Sequence, residues 1–113
     1  MPQHSEVVRK SLLTAVIEGR KEVERVEMRE IGLAAGQVVG LHLHPCPVIG
    51  VVISGRIRFQ ITGQPEKILH AGDAFFEPAH TRIAHFDATA DSPAKFVACY
   101  LLGQDENELI EML

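Results

Sequence analysis

Short apolar runs separated by turn residues fill the chain from about residue 21 onward, at the spacing typical of an all-β sandwich or barrel. Apolar and polar side chains alternate strictly over residues 56–61, which predicts a strand with one buried face. Residues 62–66 then have turn chemistry, and residues 67–69 begin a return strand. The pair is predicted to form a hairpin.

Four further strands are predicted from the same signals, at residues 48–54, 74–77, 81–86 and 95–102. An earlier segment, residues 22–33, mixes charged and apolar positions. Val26 and Met28 share one face of this segment, whereas Ile31 and Leu33 share the other. This change of parity predicts a β-bulge.

The two ends of the chain have different patterns. Asp105 and Glu108 stand at capping-box spacing before an apolar run, which predicts a short C-terminal helix. Apolar residues recur at helical spacing over residues 8–16. That stretch is short enough to be either a helix or an extended arm that docks on a partner subunit.

Length and charge restrict the possible functions. The chain has 113 residues, and we expect a single domain over residues 1–113 with a barrel core at about 21–102. The formal net charge is -4, and no Lys/Arg cluster interleaves with aromatic residues, so nucleic acid is not an expected partner. No apolar run is long enough for a membrane span or a signal peptide, which predicts a soluble cytoplasmic protein. Two cysteines, too few for a disulfide scaffold, are expected to be reduced thiols.

The candidate chemistry lies at His42 and His44. Alternate side chains of a strand share a face, so the two imidazoles project together and make half of a metal site. A pair of this kind is also compatible with surface histidines or with hydrogen-bonded core residues. Its place between a glycine turn at Gly36 and the prolines of residues 45–47, within an apolar β domain, favours ligation because buried polar groups need a partner.

These residues, with their spacing, resemble the two sequence motifs of the cupin family. The residues in register with the motifs are Gly36, His42, His44, Gly55, Gly72 and Pro78. The motif glutamate is replaced by Val48, the second-motif glycine by His80 and the second-motif histidine by Ile83. The resemblance covers about residues 21–102 and implies a jelly-roll barrel, usually dimeric, with its site in the barrel mouth.

In metal-dependent cupins three histidines and the glutamate usually bind Fe, Mn, Ni, Cu or Zn, and only two of those four positions are kept here. Residues 83, 85 and 87 share strand parity, so His85 is expected on the same face as the lost histidine, as third ligand beside His42 and His44. Glu77 alternates with Phe75 and is a possible additional ligand in place of the lost glutamate.

Three functions fit this sequence. One is a metal-dependent enzyme acting on a small organic molecule, as an oxygenase, decarboxylase or isomerase. Another is a non-catalytic module whose barrel, lined by Val38, Phe59, Phe75 and Ile83, encloses a small ligand without metal. A storage role fits less well, because storage cupins are generally two-domain chains.

Two smaller expectations concern a thiol and the oligomeric state. Cys46 follows His44 closely enough to be considered as a nucleophile, but its flanking prolines are expected to bend it away from the strand face. A buried, unreactive thiol is expected for both Cys46 and Cys99. Outward apolar residues in segment 22–33, together with Leu41 and Leu43, need cover, and we therefore expect a homodimer.

Overall fold

In the computed structural model, residues 6–113 are described and form β-strands without a helix. The strands are β1 (Arg25–Leu33), β2 (His42–Leu43), β3 (Val48–Ser54), β4 (Arg56–Ile61), β5 (Lys67–His70), β6 (Ala74–Glu77), β7 (Ile83–Ala88), β8 (Ala94–Leu102) and β9 (Glu111–Met112). The predicted all-β fold is confirmed, and so are the strands predicted between residues 48 and 102, with small shifts at their ends.

Two antiparallel sheets enclose the core. One has the strand order β1-β8-β3-β6 and the other β5-β4-β7-β2-β9. The predicted hairpin is the β4–β5 pair. Alternation along β8 shows how the core is built, because Phe96, Ala98 and Tyr100 are buried while the residues between them are half-buried. Four phenylalanines pack on one another at the centre, mostly edge-to-face, namely Phe59, Phe75, Phe86 and Phe96. Tyr100 packs edge-to-face on His44.

The predicted bulge in β1 is wrong. All nine residues of β1 pair with β8 in one continuous register. The change of parity arises because Val26 and Met28 point out of the sheet and are 53% and 72% exposed, whereas Leu33 is buried. Register shifts lie instead between β3 and β8, and between β4 and β7 at Gln60 and Ile61.

The predicted C-terminal helix is also wrong. Residues 106–110 form no helix, and Asp105 has a left-handed backbone conformation, with φ of 65°, instead of the extended conformation typical of an N-cap. The Glu106 carboxylate accepts a hydrogen bond from the Gly103 amide at 2.6 Å and closes a turn instead of capping a helix. The following residues extend, and β9 joins the five-stranded sheet beside β2.

Residues 6–24 form neither helix nor strand, which removes the helical alternative for residues 8–16. Several apolar side chains of this arm are exposed, among them Val8 at 88% and Val16 at 73%. Whether the arm docks on a partner subunit stays a prediction. Nowhere in residues 6–113 is there a helix of the length and hydrophobicity that crossing a membrane requires.

Candidate metal centre

Three buried polar side chains meet between the two sheets. His42 lies on β2, His44 follows it, and Glu77 ends β6 in the opposite sheet. One ligand atom of each lies within 4.8 Å of the others. The three residues are only 2%, 5% and 2% exposed. The strand alternation that predicted a shared face for the two histidines is therefore observed, and Glu77 points inward as its alternation with Phe75 predicted.

Backbone carbonyl groups fix both imidazoles. His42 donates from Nδ1 to the Gly40 carbonyl at 2.8 Å, and His44 donates from Nδ1 to the Leu109 carbonyl at 2.6 Å. A carbonyl oxygen only accepts, so each Nδ1 carries the hydrogen. In the neutral imidazole, Nε2 then carries a lone pair, which is the state that binds a metal.

Both Nε2 atoms face the carboxylate of Glu77. The Oε2 atom contacts Nε2 of His44 and lies 3.8 Å from Nε2 of His42. This oxygen is buried and has no hydrogen-bond partner among the described residues. With both imidazoles neutral, three atoms with lone pairs face one another and no hydrogen lies between them. A cation placed among them removes that conflict, so the donor set fits a divalent transition metal.

The same contacts shift the protonation of the two partners. Burial by itself would raise the pKa of Glu77, but the close contacts with His42 and His44 and their charge lower it below its ordinary value. Burial by itself would lower the pKa of His42, but the contact with Glu77, the Gly40 carbonyl and the charge of Asp87 raise it. The carboxylate therefore stays ionised, and without a metal the raised pKa of His42 favours a proton on that imidazole.

Two apolar residues fill the positions where the cupin motifs have ligands. Ile83 is the Cα partner of His42 across β2 and β7, and Val48 is fully buried on β3. Val48 is also the Cα partner of Glu77. The carboxylate thus reaches the site from the strand next to the one that carries it in the motif.

His85, the predicted third ligand, is not brought into this cluster. Between β4 and β7 the ladder passes from Gln60 opposite His85 to Ile61 opposite Ile83, so Ala84 is an extra residue. Residues 83 and 85 therefore do not share a face. His85 Nδ1 instead lies 3.0 Å from the Asp87 carboxylate, which also accepts the Val39 amide at 3.2 Å.

A cavity of about 200 Å³ opens beside the three polar residues. Its walls are formed by Ile31, Leu33, Val39, His42, His44, Val48, Phe75, Glu77, Phe86, Phe96, Ala98, Tyr100 and Ile110. Phe75 was expected there, but Phe59 and Ile83 are core residues away from this wall and Val38 is exposed.

Tyr100 and Ile110 were missed by the sequence interpretation. Tyr100 is signalled by its parity with Phe96 and Ala98 in β8, whereas no pattern signals Ile110. The ring of Tyr100 lies 5.8 Å from that of His44, centroid to centroid. Burial, followed by the negative charge of Glu77, raises the pKa of the Tyr100 phenol, so its hydroxyl keeps its proton.

Neither cysteine belongs to the centre. Both are free thiols, Cys46 buried and Cys99 half-buried. Burial raises the pKa of Cys46, which keeps the thiol protonated and a poor nucleophile.

Comparison with known proteins gives one family and a set of related folds. A family model described as a cupin domain matches residues 29–100, well over half of the chain. No curated protein sequence matches.

Among solved structures, DMSP lyase DddQ from Ruegeria pomeroyi is 24% identical with a TM-score of 0.67, over 77% of this chain and 42% of the lyase. Oxalate oxidase in complex with the substrate analogue glycolate is 23% identical with a TM-score of 0.65, over 78% of this chain and 46% of the oxidase. A cupin protein from Bacteroides fragilis is 25% identical with a TM-score of 0.61, over 74% of this chain and 70% of that protein. The chain spans less than half the length of the two enzymes, and the likeness to them is one of fold.

Proposed function

Because this chain belongs to the cupin family and brings two histidines and a carboxylate together in its core, we propose that it binds a divalent transition metal through His42, His44 and Glu77. The observation that carries the proposal is the buried Oε2 of Glu77, which faces the Nε2 atoms of His42 and His44 and has no hydrogen-bond partner within residues 6–113. Imidazole and carboxylate together suit Zn, Fe, Ni, Mn or Cu.

The second part of the proposal is that the cavity binds a small organic ligand. Aromatic and aliphatic side chains form most of its wall, and the polar groups gather at one side. A ligand with an apolar body and one oxygen-bearing group fits this division, the oxygen turned toward His42, His44 and Glu77. The DMSP lyase and the glycolate-bound oxalate oxidase support a small organic molecule as ligand.

Three protein ligands leave coordination positions open, as a catalytic metal site requires. A metal bound there would supply Lewis-acid or redox chemistry to the ligand. The protein contributes the rest. Backbone carbonyls hold both imidazoles with Nε2 inward, the apolar wall excludes water, and the protonated Tyr100 hydroxyl is available to donate a hydrogen bond to a polar group of the ligand. Oxygenation, decarboxylation and isomerisation are the reaction classes to assay first.

The metal is tested on protein purified without an affinity tag, loaded with excess Zn²⁺, dialysed and analysed for bound metal. The wild type is expected to retain about one ion per chain. His42→Ala and Glu77→Gln should lose most of it, the second because the amide keeps the shape of the carboxylate but not its charge. His85→Ala is the matched control and should retain the wild-type amount. Full retention by His42→Ala would refute the site, and loss by His85→Ala with retention by Glu77→Gln would restore His85 as third ligand.

A metal-free binding module is the second candidate, favoured by the apolar Val48 and Ile83 at two ligand positions of the motifs. In that case the wild type retains no Zn²⁺ after dialysis. Binding of an apolar fluorescent probe in the cavity of the wild type would then be the same with and without Zn²⁺.

A further inference from the structure

The last five residues of the chain, 109–113, lie against the metal centre; we call them the C-terminal strap. Leu109 packs on the hydrophobic core and Ile110 forms part of the cavity wall. Beyond them β9 pairs with β2, and the Leu113 amide donates to the Leu41 carbonyl at 3.0 Å. A segment remote in sequence from both histidines therefore forms one side of their site.

The strap contacts the groups that hold each imidazole. The Leu109 carbonyl accepts the Nδ1 hydrogen of His44 at 2.6 Å. Met112 is the Cα partner of His42. Its Cε also lies so close to Gly40 that a Cβ added to the glycine would be 3.3 Å away, and the Gly40 carbonyl accepts the Nδ1 hydrogen of His42.

Detachment of the strap would therefore change the ligands as well as the cavity. His44 would lose the acceptor that keeps its hydrogen on Nδ1, and the Nε2–H tautomer has no lone pair on Nε2 for a metal. The wall formed by Ile110 would open at the same time. The strap pairs with only two residues of β2, so its docking is stabilised by few hydrogen bonds. It is therefore sensitive to changes in the metal centre that it covers.

We propose that the C-terminal strap is a positioning element of the metal centre, through the Leu109 carbonyl, and that strap docking and metal binding stabilise each other. This inference rests on the proposed metal site. Linkage makes the coupling reciprocal, so the factor by which Zn²⁺ favours the docked strap equals the factor by which the docked strap favours Zn²⁺.

The first measurement uses the full chain without substitution. Hydrogen exchange of the Leu113 amide is followed with and without saturating Zn²⁺, with the Leu69 amide of β5 as an internal reference away from the strap. Exchange at Leu113 should slow by about tenfold or more, with little change at Leu69. An unchanged rate at Leu113 in protein that has bound Zn²⁺ would overturn the inference.

The second measurement removes the acceptor. A chain ending at Glu108 lacks the Leu109 carbonyl, whereas a chain ending at Ile110 keeps it and loses the β9 pairing, the Met112 contact with Gly40 and the Leu113–Leu41 hydrogen bond. Zn²⁺ affinity should fall about 10- to 100-fold in the shorter chain and less in the longer one. Equal affinity of the shorter chain and the full chain would contradict the proposal.

The His44 tautomer distinguishes failure of the strap from failure of the metal site. It is read in the metal-free full chain from the nitrogen chemical shifts of the neutral imidazole. Hydrogen on Nδ1 in the full chain, and its loss in the chain ending at Glu108, supports the positioning role even if Zn²⁺ binds to neither. If Zn²⁺ binds the full chain and the tautomer is the same in both chains, the metal site stands and the strap inference falls.

Discussion

Val48 on β3 and Glu77 on β6 are direct cross-strand partners, and only the second carries a carboxylate. The sheet therefore offers two neighbouring positions from which one acidic group can reach His44, and this chain uses the one on β6. Loss of the motif glutamate consequently does not remove the carboxylate from the site.

Exchange of these two residues should restore a metal site that a single substitution destroys. Glu77→Val is expected to lose bound Zn²⁺, whereas Glu77→Val combined with Val48→Glu should recover part of it. The reason is that Cβ atoms of facing residues lie about 4.5–5.5 Å apart, within the reach of a glutamate side chain. Metal analysis after dialysis measures both. A double variant that retains no more Zn²⁺ than Glu77→Val would show that the position on β3 is closed to a ligand.

The Glu77–His42 pair should make the stability of the metal-free protein depend on pH. The pKa of His42 is raised above 6.5, so its contribution to the free energy of unfolding is present below that value and is lost as pH rises through the raised pKa. The pKa of Glu77 is lowered below 4.5, so its contribution is present above that value and is lost as pH falls. The contribution of this pair should therefore give the metal-free protein a higher Tm at about pH 5.5 than at about pH 8.

Zn²⁺ should reverse that order, since the ligands bind metal only when deprotonated. Thermal unfolding at both pH values, with chelator and with Zn²⁺, measures the two effects. Glu77→Gln should weaken the pH dependence of the metal-free protein, whereas His85→Ala should keep it. An identical dependence in wild type and Glu77→Gln would contradict the assignment to this pair.

Gly50 should be intolerant of any side chain. A Cβ at this position would overlap the Val97 carbonyl and the ring of Phe75, which is itself packed among other aromatic rings. Gly50→Ala is expected to lower the free energy of unfolding by about 3 kcal/mol in urea denaturation. Gly32→Ala is the control, since a Cβ there meets nothing within 4 Å, and it should change stability by less than about 0.5 kcal/mol. Similar losses in both variants would mean that packing is not the cause.

Replacement of His80 by glycine should not lower the stability of the protein. His80 has φ of 56° and stands where the cupin motif has glycine, so relief of left-handed strain offsets the greater freedom of glycine in the unfolded chain. We expect His80→Gly to change the free energy of unfolding by less than about 0.5 kcal/mol and His80→Val to lower it by about 1–2 kcal/mol. His70→Gly, at a strand position, should lose about 1 kcal/mol. A loss at His80→Gly as large as at His70→Gly would contradict the strain argument.

The outer face of β1 should be a subunit contact. β1 is an edge strand, and Val26 and Met28 are more than half exposed on its outer face. Light scattering at micromolar concentration is expected to show a homodimer, and Met28→Glu should shift it to monomer. Ile68→Glu changes an exposed apolar residue of the other sheet and should leave the dimer intact. A monomeric wild type would refute the expectation.

The fold was predictable because alternation is a local signal. In β4 and β8 the alternation of side chains indicates which residues face the core, and the motif residues from Gly36 to Pro78 predicted the jelly-roll barrel. The same logic placed His42, His44 and Glu77 on inward faces.

Errors arose where a non-local contact decided the outcome. Ala84 is an extra residue only relative to β4, so the parity of residues 83 and 85 could not be read from β7 alone. Residues 105–108 have the pattern of a helix start, but Glu106 bonds to Gly103 and the strand β2 offers pairing to the residues that follow. Periodicity along the sequence shows neither the extra residue in β7 nor the contacts made by the residues after 105.

Both hydrogen-bond acceptors that orient the imidazoles, at Gly40 and Leu109, are main-chain carbonyls. Every amino acid carries that group, so no exchange of the Leu109 side chain deletes the acceptor itself. The tautomer of His44 is thereby insensitive to exchange of the Leu109 side chain. Insertions and deletions that move the backbone, in residues 36–41 or after residue 103, are the changes to which the centre is vulnerable.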